Sequence, residues 1–106
     1  MRARSVMNQK RFVAWLSSKV PDEVVGISGT CGQDALASYL QAFGLKNARV
    51  HIGFWNPAGV LMEQVPLPLW ARRYIEVEEN NLRIGTAVTA AQILSIVETS
   101  KLPETV

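Results

Sequence analysis

Apolar positions recur along the 106-residue chain with two periods, and the switches between them mark out its elements. Phe12, Val13, Leu16 and Val20 fall on one stripe at i, i+1, i+4 and i+8, with Trp15 at its margin and Lys10 and Arg11 off it, which predicts a helix over 6–19. Pro21-Asp22 ends that helix, because the proline holds Val20 away from helical angles. Glu23 to Ile27 reads as a strand. It enters a glycine-punctuated loop, Gly26-Ile-Ser-Gly29-Thr-Cys-Gly32, and a second helix is predicted from about Cys31 to Phe43. Thr30 and Gln33 form a T-x-x-Q capping box at its start, Leu36, Tyr39, Leu40 and Phe43 form its apolar stripe, and Gly44 supplies the terminating residue.

Beyond Gly44 the period shortens to two. Val50, Ile52 and Phe54 alternate with Arg49 and His51, Trp55-Asn-Pro-Ala-Gly59 carries turn chemistry, and Val60 to Val65 returns. A hairpin is therefore predicted over about 48–65, with Trp55 at its tip. Pro66-Leu-Pro68 leads into a third helix over 69–79, with Leu69, Trp70, Tyr74 and Val77 inward and Arg72 paired with Glu76 outside. Leu82 to Gly85 reads as a short strand or an extended linker. The last helix begins at Thr89 with a second T-x-x-Q, completed by Gln92, and Val88 and Ile93 are placed as a hydrophobic staple. Together these elements predict a single α+β domain over 1–106, with about four helices packed on a small, mostly antiparallel sheet. Residues 1–5 and 100–106 are expected to be flexible.

Composition narrows the class. With 48% apolar and 19% charged residues the chain belongs with ordinary globular proteins, and its length suffices for one core. No apolar run approaches the roughly 20 residues of a membrane span. Met1 to Val20 is broken throughout by Arg, Asn, Gln, Lys and Ser, unlike a secretory leader, so no membrane association is expected. One cysteine and one histidine form neither a disulfide nor a four-ligand zinc site, so no metal and no cofactor are expected. A lone cysteine fits a reducing, cytoplasmic setting. The charge is uneven: Arg2, Arg4, Lys10, Arg11 and Lys19 have no acid among the first 20 residues. Such an arm attracts nucleic acid or an acidic partner, although a solvated terminus and helix face explain it as simply.

Chemistry concentrates in the glycine loop. Helix N-termini lower thiol pKa values and bind anions, which makes Cys31 a candidate nucleophile and Thr30, Gly32 and Gln33 a candidate anion site. The more ordinary role for a free cysteine is a small buried hydrophobe. Gly26-x-x-Gly29-x-x-Gly32 departs from the dinucleotide fingerprint, and no Walker lysine follows, so the glycines are read as serving a tight strand-to-helix turn. His51 supplies a base for Cys31, and Asn56 a group to orient it. The run from Cys31-Gly32 through Ala35-Leu36, Tyr39-Leu40 and Phe43-Gly44 resembles the nucleophile helix of bacteriocin-processing cysteine peptidases, which are papain-like, and His51 with Asn56-Pro57 is similar to their histidine followed by an acidic residue and proline. The likeness covers about a quarter of the chain. It departs from the pattern in three ways: no glutamine precedes Cys31 at the oxyanion position, His51 follows only 20 residues later, and Asn56 stands in place of the acid.

Two functions of different class follow. Phe54 and Trp55 at the predicted hairpin tip and Trp70 beyond the prolines favour a small interaction domain that binds a protein partner or a second copy of itself, because exposed tryptophan is enriched at interfaces. The alternative is a papain-like thiol enzyme with Cys31 as nucleophile, His51 as base and Asn56 as orienter. Weak nucleic-acid binding through the basic arm stands as a further option.

Overall fold

The computed structural model describes residues 6–59 and 62–99. The termini expected to be flexible, 1–5 and 100–106, lie outside the described residues, as does the start of the returning strand at Val60 and Leu61. Among the described residues, four helices and two small antiparallel sheets make an α+β fold: α1 (Gln9–Ser17), β1 (Val24–Ile27), α2 (Ala35–Ala42), β2 (Arg49–Val50), β3 (Phe54–Asn56), β4 (Val65–Pro66), α3 (Leu69–Asn81), β5 (Ala87–Thr89) and α4 (Ala90–Thr99). β1 pairs with β5, and β2, β3 and β4 form a meander. One connected core, in which Phe12, Leu16, Tyr39, Leu40, Trp55, Trp70, Tyr74 and Ile93 are all buried, joins every helix. Phe12 sits at its centre, with the rings of Tyr39, Trp70 and Tyr74 at 5.4–6.0 Å between centroids.

Phe12 and Leu16 of α1 and Leu36, Tyr39 and Leu40 of α2 are buried as their spacing predicts, whereas Val20 and Phe43, expected on the same stripes, lie exposed beyond the helix ends, and both helices are shorter than expected. α2 begins at Ala35, not at Cys31, and its N-cap is Asp34, whose Oδ1 accepts from Ala37 N–H at 2.7 Å. A helix begun at Cys31 would need the Cys31 and Gln33 carbonyls for its own ladder. Both are taken elsewhere, Cys31 O by Val50 N–H and Gln33 O by Ile27 N–H, each at 2.7 Å. Thr30 and Gln33 therefore do not form a capping box, and Thr30 Oγ1 donates instead to Ile27 O at 2.9 Å. Gly26 allows this crossing: a Cβ there would lie 2.5 Å from Ala35 N and 2.7 Å from Asp34 C, so only glycine lets β1 pass against the start of α2.

The hairpin is also displaced. Its first turn is His51-Ile52-Gly53, with Gly53 at φ +92°, and Arg49 and Val50 pair with Asn56 and Trp55. Trp55 is thus a strand residue facing inward, not a loop tip. α3 runs two residues past the predicted end, its external ion pair is Arg73–Glu76 (3.6 Å) instead of Arg72–Glu76, and 82–85 forms no strand. Among the described residues no helix is long and apolar enough to cross a membrane.

Candidate functional site

A cleft of about 330 Å³ opens where the turn before α2, the β2–β3 turn and α3 meet, and Cys31, His51, Phe54, Ile75 and Glu78 line it. The backbone brings its two nucleophilic candidates together. Cys31 O accepts from Val50 N–H at 2.7 Å, so the cysteine lies beside the residue that precedes His51. Cys31 is exposed, which corrects the reading of it as a buried hydrophobe. It also precedes the helix by four residues. The helix N-terminus therefore does not explain any reactivity of this thiol; the segment it bonds to is β2, which leads directly into His51.

His51 is held on three sides. Its backbone N–H donates to Phe54 O at 2.9 Å across the Gly53 turn, and its ring stacks on Phe54 at 4.5 Å between centroids. Nε2 lies 2.7 Å from Asn56 Oδ1. Asn56 is fully buried, and its Nδ2 donates to Glu63 O at 3.1 Å and Met62 O at 3.4 Å. Two carbonyl acceptors fix the amide orientation, so Oδ1 faces the imidazole and must receive a proton from Nε2. The neutral ring then carries its lone pair on Nδ1. A thiol and an imidazole that line one cleft, the imidazole tied through Nε2 to an asparagine carbonyl, are the residue types used in nucleophilic acyl substitution.

Two buried carboxyl groups also line the cleft. Asp34 and Glu78 are at most 2% exposed and have no ion-pair partner among the described residues. Tyr74 Oη donates to Glu78 Oε2 at 2.6 Å. Burial, joined by the charge of Glu78, pushes the Asp34 carboxyl well above its usual range, against the Ala37 hydrogen bond. Burial also raises Glu78, with Glu79 adding to it, while the Tyr74 hydroxyl and the Gly29 backbone hydrogen bond oppose it. Tyr74 in turn is raised well above the phenol range, first by burial and then by Asp34 and Glu78. Sequence reasoning passed over both carboxylates. Glu78 continues the Trp70–Tyr74 spacing of four along the buried face of α3, and Asp34 directly precedes an apolar run as an N-cap residue does; those were the available signals.

Of the remaining candidates, Thr30 and Phe54 also line the cleft, and the others are not gathered here. Trp55 and Trp70 are each 1% exposed and belong to the core, so the aromatic partner surface expected of them is absent; Phe54 is half-buried under His51. Thr30, Gly32 and Gln33 precede α2, and the N-terminus they were expected to form is already capped by the Asp34 carboxyl, which takes the Ala37 N–H. Of the basic arm, Arg2 and Arg4 lie outside the described residues. Lys10 and Arg11 are exposed on α1, and Lys19 lies 5.0 Å over the Trp15 ring and 3.8 Å from Glu23. The chain matches no family model, no curated protein and no solved structure.

Proposed function

We propose that the cleft is a thiol acyl-transfer site, with Cys31 as nucleophile, His51 as general base and Asn56 as its orienting partner. The observation that carries this reading is the His51 Nε2–Asn56 Oδ1 bond, which holds the base by a buried amide and leaves Nδ1 for the proton of a cysteine on the adjoining segment. In the reaction Cys31 Sγ–H passes its proton to His51 Nδ1 as the sulfur attacks a substrate carbonyl carbon. The S–C bond forms, the bond from that carbon to its leaving group breaks, and His51 returns the proton to the leaving group. Water, or another acceptor, then attacks the thioester with His51 again as base, and the thiol is released. The backbone N–H of Cys31 donates to no backbone carbonyl among the described residues and is placed beside the attacking sulfur to receive the developing oxyanion. Val50, Ile52, Phe54 and Ile75 give the cleft an apolar side suited to an acyl group with an apolar substituent.

Binding of a protein partner or a second copy loses its main support with the burial of Trp55 and Trp70. The experiment that decides for acyl transfer is intact-mass analysis after incubation with acyl thioesters of graded chain length. A single acyl increment that maps to Cys31 and fails to form in His51→Ala is the expected result. Acyl addition scattered over lysines, or unaffected by His51→Ala, would reject the reading.

A further inference from the structure

Cys31 and His51 belong to segments that share no secondary-structure element, so something must fix the distance between them. One direct link is the Val50 N–H to Cys31 O bond. Two nearby carbonyls, Gly32 O one residue after Cys31 and Ala48 O two residues before Val50, are both acceptors and cannot bond one another. Gln41, in the last turn of α2, supplies what is missing: its Nε2 donates to Gly32 O at 2.8 Å and to Ala48 O at 3.2 Å. Arg49 closes the other side. Its side chain lies across Gly32 so closely that a Cβ there would meet Arg49 Nε at 2.7 Å and Cδ at 2.9 Å, while its guanidinium donates to Asn47 O at 3.2 Å and Ala48 O at 3.0 Å. The Cys31–Gly32 peptide is thereby held between α2 and β2.

We infer that Gln41 is a positioning residue for the thiol site, its amide bridging the Cys31 and His51 segments and setting the geometry on which proton transfer between them depends. The inference rests on the acyl-transfer reading. The residue type fits the task, because two N–H donors on a side chain of this reach are required. Glutamate would turn acceptors toward both carbonyls, leucine would leave both unpaired, and asparagine falls one methylene short.

The test is the rate of Cys31 alkylation by iodoacetamide at pH 7 in the full chain, divided by the rate in His51→Ala. The same ratio is measured in the Gln41→Leu background, with circular dichroism and thermal melting as controls. We expect a ratio of about tenfold or more in the natural chain, falling to within about twofold in a folded Gln41→Leu. A role confined to stability would lower the melting temperature and leave the ratio intact, and that result overturns the inference. Should Gln41→Leu fail to fold, Gln41→Asn is read instead: a reduced ratio supports the bridge and an unchanged one overturns it. A ratio near one in the natural chain rejects the acyl-transfer reading itself, whereas a large ratio that survives loss of Gln41 rejects only the positioning role.

Discussion

Two segments of this chain share the pattern T-x-x-Q, Thr30-Cys-Gly-Gln33 and Thr89-Ala-Ala-Gln92, and they do different work. The second is a reciprocal cap: Thr89 N–H donates to Gln92 Oε1 at 2.8 Å and Gln92 N–H to Thr89 Oγ1 at 3.2 Å, and α4 starts at once. The first is an irregular turn whose carbonyls pair with β1 and β2, and α2 starts only after Asp34. The inner residues explain much of the difference. Ala90 and Ala91 are the best helix formers, whereas Gly32 is poor in a helix and Asp34 competes as a better cap. The second position then has opposite fates: Ala90 is fully buried, and Cys31 is exposed in the cleft. A segment that forgoes its own helix ladder can give its carbonyls to distant strands, and this is how Cys31 comes to lie beside Val50, the residue before His51.

The comparison is sharpened most by cutting at that second position. Cys31→Ala should lower acyl turnover at least about a thousandfold, measured on any acyl thioester the natural chain accepts. Its unfolding free energy should stay within about 0.5 kcal/mol, because the side chain is exposed. Replacing Asn56 comes next. Asn56→Ala strips partners from His51 Nε2 and from the Met62 and Glu63 carbonyls, and should cost about 3 kcal/mol in urea unfolding while removing the His51 dependence of Cys31 alkylation.

The two buried carboxyl groups give a pH test that the Thr89 region lacks. Asp34 and Glu78 hold their protons more tightly folded than unfolded, so stability from them is full below the ordinary carboxylate pKa of about 4 and falls as pH rises toward their raised folded values. Each group contributes at most about 1.4 kcal/mol per pH unit. The stability of Glu78→Gln relative to the natural chain should therefore grow from pH 4 upward and then level off; a constant difference would show that Glu78 titrates alike in both states. The smallest effect compares the caps directly. Thr89→Ala should cost about 1 kcal/mol by thermal melting, and Thr30→Ala about half of that, because Asp34 retains the cap of α2.

The helices and the α+β class were legible because most stripe positions of α1, α2 and α4 follow a local period, and Cys31, His51 and Asn56 could be named from their side-chain chemistry, which does not depend on where the turns fall. What escaped were features decided by distant partners. Asn56-Pro57 does lead into a turn, but the chain also reverses earlier, at Gly53, which makes Trp55 a central strand residue of the core instead of a tip. The start of α2 is set by hydrogen bonds to Ile27 and Val50, which no local pattern contains. Glu78 drew no notice because a carboxylate is expected in water, although its spacing from Tyr74 places it on the buried side.

The most direct measurement is the rate of Cys31 alkylation across pH 5 to 9 in the natural chain and in His51→Ala. If the imidazole and the thiol work together, the natural chain is alkylated about tenfold faster at neutral pH, and His51→Ala reverts to the profile of a free cysteine. Two superimposable profiles would mean that Cys31 and His51 are neighbours without a shared proton, and the acyl-transfer account would be wrong.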